Sequence, residues 1–130
     1  MIFLDDRKRD VIREWMKDVK MSAKCRAKMD RWVRYLEATD SEVWHADLIK
    51  PLKGHSYIYE LRIECMGVEY RPLGCFGPNQ TPFTSTNEKQ FTLVIGAIEK
   101  DDKFIPLQAP ETAKGRRILI HNDRSRVHEY

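Results

Sequence analysis

The chain has 130 residues and a formal net charge of +3, which allows one domain with a real core and only a mild basic bias. Hydrophobic residues make up 42% and charged residues 33%, a globular composition that excludes the disordered class. No apolar run reaches membrane-spanning length, and Met1-Ile2-Phe3-Leu4 runs straight into Asp5-Asp6. We therefore expect no signal peptide, no membrane partner and a cytoplasmic location.

Ile2 to Leu4 has the character of a short edge strand. Val11, Ile12, Trp15, Met16 and Val19 recur at helical spacing, which predicts a helix over about Asp6 to Val19. Ser22 is suited to cap a second helix running through Glu37. The buried stripe of that helix is Cys25, Met29, Trp32, Val33 and Leu36. Its other side carries Lys20, Lys24, Arg31 and Arg34, a basic ridge whose plainest reading is a solvated face. Trp15 and Trp32 are core by their spacing.

Lys50 to His55 reads as a loop, because Pro51 and Gly54 interrupt either period. The next strand places Tyr57, Tyr59, Leu61 and Ile63 on one face and Ile58, Glu60, Arg62 and Glu64 on the other. Met66-Gly67 supplies a turn, and Val68 to Phe76 returns as the partner strand. Gly77 to Lys89 is a long polar loop. Phe91 to Ile98 is almost continuously apolar and predicts a central strand covered on both faces. Asp101-Asp102 is a turn pair. A helix begins near Pro110, where proline suits the first turn, and the polar tail from Asn122 to Tyr130 is expected to fray. The order defines an α+β domain spanning residues 1–130, with two N-terminal helices on a small, mainly antiparallel sheet, a C-terminal helix, and all helices on one side.

The three cysteines, Cys25, Cys65 and Cys75, are odd in number and lack metal-ligand spacing, so free thiols in a reducing compartment are expected. His45, His55, His121 and His128 are dispersed, and no Gly-rich phosphate loop is present. The expectation is chemistry with no metal and no cofactor. Two strands carry an arginine among apolar neighbours, Arg62 and Arg71. An arginine is costly to desolvate and so meets an anion, either a carboxylate of the chain or a phosphate. In RNA cleavage by the neighbouring 2′-hydroxyl, guanidinium groups stabilise charge on the phosphorus oxygens while a side chain moves the proton. His55, beside Lys53, has the reference pKa for such a proton carrier, and Tyr70 beside Arg71 offers a ring for stacking on a base.

Lys50-x-Leu52-x-Gly54 followed by Glu60-Leu61-Arg62, then Tyr70-Arg71, then Gly96-Ala97-Ile98-Glu99-Lys100, Pro106 and Ala113-x-x-Arg116 resembles the RelE/HigB toxin superfamily, in particular its phage-derived HigB-type branch. The resemblance covers about Lys50 to Arg117. It implies a RelE/ParE-like, microbial-RNase-like sheet and a toxin of a type II toxin–antitoxin system. That toxin would be a metal-independent mRNA endonuclease acting on the ribosome, with an antitoxin partner, commonly a helix-turn-helix protein. It implies catalytic roles for Arg71 and Lys100, joined by His55, and RNA contacts from Arg62, Tyr70, Lys50, Lys53 and Arg116. On this reading Arg71→Ala should abolish growth inhibition and leave the fold intact. The family carries two basic residues where this chain has Glu99-Lys100, and some members carry lysines where it has Ile58 and Glu60. Those departures motivate a second reading, a non-enzymatic binding protein on the same fold (a topoisomerase inhibitor, or a phage-derived protein that has lost catalysis).

Overall fold

The computed structural model describes residues 1–39, 41–78 and 90–130; most of the predicted 77–89 loop therefore lies outside the described residues. Strand β1 (Ile2–Phe3) leads to helices α1 (Val11–Asp18) and α2 (Ala23–Ala38). The Asp10 carboxylate caps α1 by accepting from the amides of Ile12 (3.0 Å) and Arg13 (2.9 Å), so the helix starts at Val11 and not near the expected Asp6. Ser22 caps α2 through the Cys25 amide (3.2 Å). A single 3-10 turn, Ser41–Val43, precedes β2 (Ile49–Pro51), in the stretch expected to be loop. The remaining strands are β3 (Tyr59–Leu61), β4 (Ile63–Cys65), β5 (Val68–Tyr70), β6 (Leu73–Phe76), β7 (Phe91–Ile95), β8 (Ile98–Lys100) and β9 (Lys103–Ile105). Helix α3 (Ala109–Asn122) has Pro110 in its first turn. The tail does not fray as expected: a second 3-10 turn leads into β10 (Val127–His128), which pairs with β1.

These strands form two sheets, ordered β10-β1-β7-β6-β3-β2 and β4-β5-β8-β9. All pairings are antiparallel except β1 with β7. Each of the three long runs expected as continuous strands is instead broken once, at Arg62, at Arg71-Pro72 and at Gly96-Ala97. The breaks are joined by backbone bonds, Leu61 amide to Pro72 carbonyl (2.9 Å) and Arg71 amide to Ala97 carbonyl (2.8 Å), so they make one crease. Two residues explain it. Pro72 has no amide to give to a ladder, and a Cβ on Gly96 would lie 1.8 Å from the Trp15 ring, so only glycine lets the indole rest on the strand. At the turns, Met66 and Gly67 have φ of 51° and 78°, and Asp101 and Asp102 of 53° and 61°, as a tight hairpin requires.

Helices lie on both faces, which corrects the one-sided expectation. Ile12, Trp15 and Met16 of α1 and Cys25, Met29, Val33 and Leu36 of α2 pack with Leu61, Ile63, Tyr70 and Leu93. On the other face, Ala109, Ala113 and Ile120 of α3 cover Phe3, Ile58, Leu73, Cys75 and Val94. Alternation along the strands feeds both cores. Among the described residues no helix is long and apolar enough to cross a membrane.

The free-thiol expectation fails at two of the three cysteines: Cys25 of α2 and Cys65 of β4 form a disulfide with Cα atoms 5.7 Å apart. Cys75 is free and buried, and burial pushes its thiol up to about 12. The bridge closes a loop of 40 residues, for which chain entropy gives about 4 kcal/mol as an ideal contribution. Reduction should therefore lower the urea midpoint markedly, while a thiol reagent added to the oxidised native protein should leave Cys75 unmodified. An unchanged midpoint after complete reduction would refute this role for the bridge.

Candidate functional site

Charged side chains gather on the α3-covered face, beside the crease. On β3, Ile58 and Leu61 are buried on opposite faces, and alternation puts Glu60 on the Ile58 side. Lys50 of β2 is the direct cross-strand neighbour of Glu60, so the two share that face. Arg62, at the crease, has its Nε 3.8 Å from Glu60 Oε1, with side chains 35% and 13% exposed. Burial raises the Glu60 pKa above the ordinary glutamate value; Arg62, Arg71 and Lys50 pull it down, and Glu99 adds to the rise. Desolvation thus outweighs three cations, and Glu60 holds its proton to higher pH than an exposed glutamate.

Arg71 is placed differently from the phosphate-clamp expectation. Its side chain is only 4% exposed. Nε donates to Glu99 Oε2 at 3.0 Å, Nη2 lies 3.3 Å from Glu69 Oε2, and Nη1 donates to the Tyr70 carbonyl at 3.1 Å. Its anions are therefore the chain's own carboxylates. The register explains why they need it: Glu64, Glu69 and Glu99 are direct cross-strand neighbours on three adjacent strands, an arrangement of like charges that costs free energy unless a cation intervenes. Arg71→Ala would take the cation away from Glu69 and Glu99, whose side chains are 47% and 27% exposed, so a stability measurement belongs beside the growth test of that variant.

The other sequence-predicted residues divide. Tyr70 is 6% exposed, its ring edge-on to Trp15 at 5.9 Å, so it is a core residue and offers no surface to a base. Lys100 is exposed at the end of β8 and, being next to Glu99, points to the opposite face from the Arg71 clamp. Arg116 donates to the Val94 carbonyl at 2.7 Å and lies 5.1 Å from the Phe3 ring centre; burial lowers its pKa, with Asp5 opposing. It joins α3 to the sheet. Lys53 is exposed in the β2–β3 turn. His55, in that turn, accepts from the Ile58 amide through its carbonyl (3.3 Å), and its Nδ1 is buried without a hydrogen-bond partner. Ile58 and Glu60 share a face and stand roughly 7 Å apart along the strand. The structure thus brings together Lys50, Glu60 and Arg62, with the turn carrying Lys53 and His55 at one end and the Arg71 clamp at the other.

Two residues escaped the sequence reading. Glu60 read as an ion-pair partner of Arg62, although its place between Ile58 and Arg62 on one face was a usable signal. Arg117, not Arg116, faces the β2–β3 turn, its guanidinium 4.6 Å from the Tyr57 ring centre; helical neighbours cannot be told apart by spacing when the apolar stripe is weak. A scan of protein-family models, a search of curated proteins and a search of solved structures each find no match to this chain.

The raised Glu60 pKa has a stability consequence of definite sign. A carboxyl whose folded pKa exceeds its unfolded one contributes stability at low pH, and that contribution disappears as pH rises through the folded value. Thermal melts of wild type and Glu60→Gln across pH 4 to 8 should show the variant gaining on wild type as pH rises above about 4.3. A variant that loses ground with rising pH would mean that Glu60 is held as a stabilised carboxylate.

Proposed function

We propose that the protein is a toxin of the type II toxin–antitoxin kind, a RelE/HigB-type endonuclease that cleaves mRNA on the ribosome. The observation that carries this reading is the Glu60 carboxyl, enclosed, inclined to keep its proton, and set beside Arg62 and Lys50 on one sheet face. Cleavage through the neighbouring 2′-hydroxyl needs a group that takes or gives a proton and cations for the charge that builds on the phosphorus oxygens. A carboxyl whose pKa is raised by burial is better suited to the first need than an exposed glutamate. Arg62, whose one ion pair among the described residues is a long contact to Glu60, keeps donors for the bidentate grip that a phosphate takes. Lys50 and Lys53 extend the positive flank along the strand. The α+β class of the chain is the coarse class that a RelE/ParE-like fold requires; the RelE/ParE-like arrangement itself is part of the proposal. An antitoxin, the ribosome and mRNA are the partners this reading requires.

One observation favours a second reading, a non-enzymatic binding protein on the same fold. Arg71 is committed to Glu69 and Glu99, and Lys100 faces away from it, so two of the three residues expected to act do not converge on Glu60. Controlled bacterial expression separates the readings. Wild type should arrest protein synthesis and create new mRNA 5′ ends, and Glu60→Gln should lower cleavage about a hundred-fold while remaining soluble and folded. Cleavage by folded Glu60→Gln at the wild-type rate would overturn the assignment; arrest without new ends would select the binding protein.

A further inference from the structure

We infer that the basic ridge of α2 binds the phosphodiester backbone of RNA, in a cleft between α2 and the β4–β5 turn on the opposite side of the sheet from Glu60. The cleft has a volume of about 460 Å³ and is lined by Lys24, Lys28, Arg31, Glu64, Cys65 and Met66. Its three cations are four and three residues apart, so they share one helix face with neighbouring Cβ atoms roughly 5–6 Å apart. Between Lys17 and Arg34 there are seven basic residues and two acidic ones. Asp30, one of those two, accepts a hydrogen bond from the Tyr130 hydroxyl. Lys24 and Arg31 take part in none of the ion pairs among the described residues. Lys28 donates to the main-chain carbonyl of Glu64, which leaves its charge unneutralised, and Glu64 is the one acidic residue in the lining. Like charges at this spacing repel one another, and a polyanion laid along the ridge relieves that repulsion by releasing its own counterions.

The cleft is built rather than incidental. The Cys25–Cys65 bridge ties α2 to β4, fixing the two walls relative to each other before any ligand arrives, which reduces the ordering cost of binding. A lipid surface is a poorer occupant: the apolar stripe of α2 (Cys25, Met29, Val33, Leu36) is buried against the sheet, so the helix has no apolar face to insert. The choice of RNA among polyanions rests on the function proposed above. On that reading the molecule grips a strand on one face and works on it from the other, which suits a substrate embedded in folded RNA.

The test is fluorescence anisotropy with a labelled single-stranded RNA of about twenty nucleotides, at 50 to 200 mM salt, on the oxidised protein. Wild type should bind with log affinity falling linearly against log salt. Lys24→Glu/Arg31→Glu should lose about ten-fold or more in affinity, with a shallower slope; the milder Lys24→Gln/Arg31→Gln pair should show the same trend, and neither should shift the melting temperature. Affinity is read on the ridge variants and cleavage on Glu60→Gln, in separate assays, so failure of the cleft and failure of the cleavage assignment are distinguished. Unchanged affinity and slope in the folded double variants, or binding to phosphatidylserine vesicles without binding to RNA, would overturn the inference.

Discussion

The arrangement on which the rest depends is the Arg71 guanidinium set among Glu69, Glu99 and the Tyr70 carbonyl. Three carboxylates, those of Glu64, Glu69 and Glu99, stand side by side across three strands, and without a cation between them this part of the sheet would repel itself. Arg71 supplies it from the crease, where Pro72 ends one ladder and Gly96 admits the Trp15 ring. The buried arginine is thus tied to the bend: it holds together the strands that the crease joins. Removing the glutamates would leave the enclosed guanidinium short of its anions, which costs more than the pair contributes when complete; removing Arg71 would leave two partly exposed carboxylates beside each other.

This clamp also shapes the candidate site. With Arg71 turned toward Glu69 and Glu99, the cation nearest Glu60 is Arg62, whose contact is long, and burial prevails in setting the carboxyl's affinity for its proton. A site results in which one carboxyl binds its proton more tightly than an exposed glutamate does and neighbouring cations lie beside it. The α2 ridge on the other side of the sheet adds a second, purely electrostatic surface, with its walls fixed by the disulfide. The two surfaces divide the work that RNA handling requires, since backbone contacts position a strand and a proton-transfer group acts on it.

Much of the scaffold was legible in the sequence because it rests on local rules. The stripes of α1 and α2, the Ser22 cap, Pro110 at the start of α3 and the apolar run of β7 each announce themselves within a few residues. The crease was not legible, because period-two alternation runs unbroken through Arg62 and Arg71 even where the ladder stops. Strands β2, β9 and β10 are two or three residues long and exist only through their partners. The Cys25–Cys65 pairing depends on α2 crossing β4, which no spacing in the sequence encodes.

For the site, residue type showed that an anion would meet Arg71 but not whose anion it would be. A phosphate and two of the chain's own glutamates make the same demand on a guanidinium. Tyr70 misled for a related reason, since a ring beside an arginine suits base stacking and core packing alike. Glu60 read only as a partner for Arg62 and as an acidic residue at a normally basic position, because its own character comes from enclosure, which is a property of the folded sheet. The most direct test of this account is a double-mutant cycle on Arg71→Met and Glu99→Gln, read by urea unfolding. A clamp on which the sheet depends predicts a coupling energy of about 2 kcal/mol; additive effects, with Arg71→Met alone costing little, would contradict it.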